Sequence, residues 1–126
     1  MKYAIIGGRD FNDYEILKQS LNKYNDIDLI VSGAANGADK LSEIYAKENN
    51  IPTLIHKANW KNMKEPCLRK SNQYGEYNSL AGLNRNSLII KDCDIVIAFW
   101  DGKSRGTKDS INKAKKAGKE IIIVKY

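Results

Sequence analysis

Short apolar runs alternate along the chain with segments whose apolar residues recur at helical spacing. Apolar runs of this length are typical of strands that are buried on both faces of a sheet. They predict strands over residues 3–6, 29–31, 53–55, 94–99 and 121–124. The helical spacing predicts helices over about 14–24, 38–49, 82–92 and 107–117.

The alternation of strands and helices indicates the fold class. Strands that are apolar on both faces and separated by helices belong in a parallel sheet covered on both sides. The chain has 126 residues, enough for one domain and too few for two ordinary ones. We therefore predict a single α/β domain over 1–126. Its fold is expected to be three-layered and Rossmann-like, with about five mainly parallel strands in the order 3-2-1-4-5.

Residues 57–80 depart from this pattern. They show almost no periodicity, and they contain one Pro, one Gly and a local excess of positive charge. Long irregular segments inside compact domains are usually binding loops, lids or insertions. We predict an irregular insertion or lid at this place in the chain.

Composition narrows the classes of function. No apolar run approaches the ~20 residues that cross a bilayer, and no signal-peptide pattern opens the sequence. Cys67 and Cys93 form no CxxC pair, and His56 is the only histidine. A disulfide framework, a metal site and a membrane role are therefore not expected, whereas a cytoplasmic location is.

Charge is distributed unevenly along the chain. Lys and Arg number 21 against 15 Asp and Glu, which gives a net charge of +6. Residues 1–56 carry a net −2 and residues 57–126 a net +8. Such asymmetry favours an anionic partner, whether nucleotide, nucleic acid or acidic protein, although a lysine-rich solvated surface has the same composition.

Three turns rich in glycine and small polar residues follow predicted strands, at 7–10, 32–39 and 101–107. Each leads into a predicted helix, and in a parallel sheet all three share the carboxyl edge. Glycine permits tight turns, and a helix N-terminus presents unpaired N–H groups to an anion. None of the turns matches the P-loop or the dinucleotide fingerprint. The three turns together therefore predict a ligand site at the switch point beside the first strand.

Four motifs carry a resemblance to a known family. They are IIGGRDF at 5–11, SGAANGAD at 32–39, AGLNRN at 81–86, and D-x-V-I-A-F at 94–99 followed by SRGTKDSI at 104–111. In this order they resemble the YspA, or cpYpsA-related, branch of the SLOG superfamily, named for Smf, DprA and the Lonely Guy proteins. The resemblance covers nearly the whole chain apart from 61–73. It implies a Rossmann-like domain that binds nucleotides or NAD-derived ligands such as ADP-ribose.

The expected ligand-binding residues come from two sources. The resemblance implies Gly7, Gly8, Arg9, Ser32, Gly33, Gly37, Asp39, Arg85, Asn86, Gly106 and Thr107. Thr107 can also cap the helix that it begins. Trp100 is added because it follows an apolar strand at the same edge, where an indole can stack on a base. Trp60, Tyr74 and Tyr77 are alternatives that packing explains better.

One position departs from the hydrolase members of the superfamily, which end the last motif with Gly-Thr-x-x-Glu. Ser110 stands where that glutamate would be, and Asp109 is one position away, about 100° around a helix. We therefore expect ligand binding, as a sensor, sequestering protein or regulator, rather than catalysis. The alternatives are a nucleoside-monophosphate phosphoribohydrolase and a nucleic-acid-binding module, the latter without a recognised DNA-reading helix or RNA platform. No tightly bound cofactor is expected, and the resemblance implies a homodimer.

Overall fold

The computed structural model describes residues 1–58, 69–72, 75–78 and 80–126. These residues form seven strands and four helices. The strands are β1 Lys2–Gly7, β2 Leu29–Ser32, β3 Thr53–Ile55, β4 Arg69–Asn72, β5 Gly75–Asn78, β6 Ile95–Trp100 and β7 Glu120–Lys125. The helices are α1 Tyr14–Leu21, α2 Ala38–Glu48, α3 Ala81–Lys91 and α4 Arg105–Lys116.

Five of the strands form one parallel sheet in the order β3-β2-β1-β6-β7. Since β6 and β7 are the fourth and fifth strands that the apolar runs predict, the predicted order and fold class are confirmed. Ala4 in the central strand β1 pairs with Val31 on one side and Val96 on the other. β1 and β6 are almost wholly buried, as strands covered on both faces must be.

Alternate residues of β1 point to opposite faces of the sheet and build two separate cores. Tyr3 and Ile5 pack with residues of α1 and α2 on one face. Ala4 and Ile6 pack with residues of α3 and α4 on the other. Two helices therefore cover each face, which gives the three layers that the sequence predicts.

The segment 57–80 is less irregular than predicted. β4 and β5 pair as an antiparallel hairpin, in which Asn72 is opposite Gly75. The prediction of an irregular stretch was wrong for these eight residues, because RKSN and GEYN lack the apolar alternation by which strands are recognised. Residues 59–68, 73–74 and 79 lie outside the described residues, and a lid role for the segment stays a prediction.

Metal-ligating side chains are scattered in the described part of the chain, where no group of three or more His, Cys, Asp or Glu could hold an ion. His56 Nε2 lies 2.6 Å from Asp92 Oδ2, and Cys93 is buried with a free thiol. Among the same residues, no helix combines the length and apolar character needed to cross a membrane.

Candidate functional site

A cavity of about 410 Å³ opens where β1 and β6 end, at the switch point of the sheet. The strand order reverses between these two strands, and ligands of open α/β sheets bind outside such a point. Eight of the predicted residues line the cavity: Gly7, Gly8, Arg9, Asp39, Arg85, Asn86, Gly106 and Thr107. The structure thus brings together residues from all three glycine-bearing turns and from α3.

The first and second turns pack closely, and glycine is needed at positions 7 and 37. A Cβ on Gly7 would lie 2.6 Å from both the Phe99 carbonyl oxygen and the Ala38 Cβ. Gly37 has φ +77° and would place a Cβ against the Gly8 carbonyl, so a side chain there meets both strain and a clash. The first two turns therefore touch backbone to backbone. Gly37 does not line the cavity, but it packs against Gly8, which does.

Asp39 is a buried carboxyl on the cavity wall, only 7% exposed. Its Oδ2 accepts a hydrogen bond from the Ala35 N–H at 3.1 Å, and the Gly33 N–H also donates to the carboxylate. Burial raises the pKa of Asp39 to about 6, while these N–H groups and Arg85 oppose the rise. The carboxylate therefore stabilises the second turn through these hydrogen bonds, and it can also accept a hydrogen bond from a group in the cavity.

Arg85 connects α3 to the second turn. Its Nη1 donates to the Gly33 carbonyl at 2.7 Å, and its Nε donates to Asn86 Oδ1 at 3.1 Å. Burial lowers the pKa of Arg85, Asp39 raises it, and the like charge of Arg9 lowers it again. Arg85 is the fifth residue of α3 and lies in its second turn, whereas a helix beginning at 82 would place it at the end of the first. The repulsion expected at the helix N-terminus is correspondingly weaker.

Asn86 joins α3 to α4 from a buried position. Its Nδ2 lies 3.4 Å from both the Gly106 carbonyl oxygen and Asp109 Oδ2. Asp109 also pairs with Lys113 at 2.9 Å. Asn86 therefore links α3 to the first turn of α4.

The third turn is organised around Asp101 and Ser104. Asp101 Oδ1 accepts hydrogen bonds from the backbone N–H groups of Lys103 and Ser104, both at 2.8 Å. These bonds lower the pKa of Asp101. Ser104 is the N-cap of α4, and its Oγ accepts from the Thr107 N–H at 3.4 Å. The expectation that Thr107 caps this helix was wrong. Because Ser104 takes that role, α4 begins two residues earlier than predicted, and Thr107 presents a buried side chain to the cavity.

Four predicted residues lie outside this cavity. Gly33 lines an adjoining cavity of about 450 Å³. Ser32 is buried, with an Oγ that has no hydrogen-bond partner in the part of the chain that the structure describes. Trp100 donates from Nε1 to the Ser104 carbonyl at 3.1 Å and packs on the α3–α4 core, so its indole supports the third turn. Gly37 packs as described above.

The other aromatic candidates give no further information about the site. Trp60 and Tyr74 lie outside the described residues, and the backbone of Tyr77 belongs to β5.

Several cavity residues were not in the predicted set. Asp10 and Asp101 add two carboxylates, Ile6 and Ile89 add apolar surface, and Ser110 adds a hydroxyl group. Asp10 and Asp101 closely follow the ends of β1 and β6 at the carboxyl edge of the sheet. This position is the only feature of the sequence that could have predicted them as cavity residues. No feature of the sequence predicts that Ile89 lines the cavity, because its position there depends on how α3 packs.

Comparison with known proteins places the chain in a family. The sequence pattern of the YspA, cpYpsA-related SLOG family, abbreviated YAcAr, matches residues 1–63, which is half of the chain. The chain belongs to the YAcAr family. The resemblance carried by the four motifs is thereby confirmed.

The chain is also similar to two other proteins. The Gene 61 protein of Mycobacterium phage D29 is 27% identical over 100 residues, which cover 75% of this chain and 69% of that protein. The crystal structure of DNA processing protein A (DprA) from Streptococcus pneumoniae superposes with a TM-score of 0.70 at 22% identity. It matches 97% of this chain, whereas this YAcAr domain spans 49% of DprA. The likeness to DprA shows the fold alone.

Proposed function

We propose that this YAcAr domain binds a nucleotide or an NAD-derived small molecule, as a sensor, sequestering protein or regulator. The observation that carries the proposal is the 410 Å³ cavity, where three glycine-bearing turns, a buried carboxyl and an arginine meet at the switch point. Ligand sites are typically concave, within roughly 300–1,000 Å³, and largely pre-formed. The volume of this cavity lies within that range.

The lining chemistry matches the parts of a nucleotide. Arg9 and Arg85 offer planar guanidinium groups suited to phosphate. Asp39 is an acceptor for sugar hydroxyls, and Ile6 with Ile89 supplies apolar surface for a base. Most of these groups sit on regular elements or are tied to them by hydrogen bonds, so little ordering is needed on binding.

Calorimetric titration with AMP, ADP-ribose, NAD and cyclic ADP-ribose tests the proposal, with thermal unfolding as a second readout. A ligand at 100 times its dissociation constant adds about 2.7 kcal/mol, which corresponds to several degrees in a domain of this size. Arg85→Ala is the test variant, and Lys47→Ala is its control, since Lys47 is an exposed cation in the last turn of α2 and does not line the cavity. Absence of heat and of stabilisation with every nucleotide up to millimolar concentration contradicts the proposal.

A second candidate function is cleavage of the N-glycosidic bond of a nucleoside monophosphate. The observation that favours it is Asp39, a carboxyl in the cavity whose pKa is raised to about 6, as suits a general acid or base near neutral pH. Against it, Ser110 lines the cavity where the hydrolases carry glutamate, and Asp109 pairs with Lys113. Incubation with AMP and measurement of free adenine decides between the two functions. Turnover lost in Asp39→Asn supports the hydrolase, and absence of turnover supports binding alone.

A further inference from the structure

We propose that the cavity beside the nucleotide site is a second anion subsite, so that the ligand carries a diphosphate. This inference rests on the proposed function and names the class of ligand: a nucleoside diphosphate, either free or as part of a larger molecule. The second cavity has a volume of about 450 Å³ and shares Arg9, Ala35 and Arg85 with the first. A single molecule can therefore occupy both.

The charges that line the two cavities differ in sign. Three carboxyl side chains, those of Asp10, Asp39 and Asp101, line the first cavity. Lys40 and Lys57 line the second together with the two shared arginines, and no Asp or Glu lines it among the residues that the structure describes. A low-dielectric cavity with charges of one sign concentrates ligands of the opposite sign.

The described residues neutralise the cations of the second cavity poorly. Arg9 and Lys57 form no hydrogen bond or ion pair with the residues described. Lys40 has a 3.7 Å contact with Glu43, three positions further along α2, and its side chain remains exposed. Arg9 also repels Arg85, to which it is close enough to lower the pKa. An anionic group between the two arginines would relieve this repulsion. A second anionic group of the same ligand would pair with Lys57.

The resulting arrangement orders the parts of the ligand. The nucleoside lies in the first cavity, where Asp39 accepts from hydroxyl groups. One phosphate lies between Arg9 and Arg85, where the cavities join, and the next lies beside Lys57 in the second cavity. A monophosphate leaves the second cavity empty. The subsite therefore selects ADP-type over AMP-type ligands.

The experiment compares AMP, ADP, ADP-ribose and inorganic pyrophosphate by calorimetry on the wild-type chain, Lys57→Ala and Lys57→Arg. Lys57 is exposed, so its replacement leaves the fold intact. Lys47→Ala is the control, because Lys47 carries the same charge in the last turn of α2, away from both cavities. We expect wild type to bind ADP or ADP-ribose about tenfold more tightly than AMP. Lys57→Ala should lose this preference with AMP affinity unchanged, and Lys57→Arg should keep it.

Each outcome bears on the subsite separately from the nucleotide site. Equal affinity for AMP and both diphosphates, or equal loss of AMP and ADP affinity in Lys57→Ala, overturns the subsite and leaves nucleotide binding in place. Pyrophosphate binding that depends on Lys57, without binding of any nucleotide, supports the subsite and refutes the proposed function. Absence of binding by all four probes overturns both.

Discussion

Replacement of Asp39 by asparagine should change how the stability of the domain depends on pH. The carboxyl has a pKa of about 6 in the folded chain and 3.8 as its ordinary value. Between these values the folded state holds more protons than the unfolded state, so the free energy of unfolding falls as pH rises. The full difference corresponds to about 3 kcal/mol, since one pKa unit is about 1.4 kcal/mol. The asparagine of the variant cannot titrate, and its amide oxygen can still accept from the Ala35 N–H.

Urea denaturation of wild type and Asp39→Asn at about pH 4.5 and about pH 7.5 measures this effect. Over this interval the wild type should lose about 2 kcal/mol relative to the variant, because part of the 3 kcal/mol is already lost below the lower pH. Contributions from other titrating groups cancel in the difference between the two proteins. If the stability difference is the same at both pH values, the pKa of Asp39 is not raised, and the conclusion that burial outweighs the Ala35 and Gly33 N–H groups and Arg85 is refuted.

Four further substitutions test the residues around the cavities. Ala34 has φ +60°, so Ala34→Gly should raise the free energy of unfolding by up to about 1 kcal/mol, measured by urea denaturation; a loss of stability would contradict the strained turn. Tyr126 donates from its hydroxyl to Asp10 at 2.5 Å beside the first turn, so Tyr126→Phe should lower stability by about 1 kcal/mol or less, and an unchanged midpoint argues against that bond. Arg85→Ala should weaken nucleotide affinity about tenfold to a hundredfold in calorimetry, whereas Ser110→Ala should change it little; equal losses would mean that the ligand is misplaced.

The sheet could be predicted because each of its strands is an apolar run. The central strands β1 and β6 are buried on both faces, so their sequences carry a strong signal, and the helices between the strands favour a doubly wound parallel sheet. β4 and β5 could not be predicted in the same way. Their residues are almost all polar, so RKSN and GEYN show none of the apolar alternation by which strands are recognised.

The turns around the cavity could be predicted from the sequence better than the contacts of its side chains. Glycine positions follow from local geometry, as the close contacts of Gly7 show. Ser104 and Thr107 are both good capping residues three positions apart, so the sequence could not decide which of them caps α4. The direction of the Trp100 indole depends on the path of the turn to Ser104. Lys57 belongs to none of the motifs, and only the folded chain brings it beside Arg9.

The central claim is that a nucleotide binds at the carboxyl edge of β1 and β6. Titration of isotope-labelled protein with AMP, followed through the backbone amide resonances, tests it most directly because it reports where the ligand binds. We expect the amide signals of Gly8, Gly106 and Thr107 to move with a common saturation curve, while those of α1 stay in place. Unchanged spectra at millimolar AMP, or changes confined to residues away from the cavity, would contradict the claim.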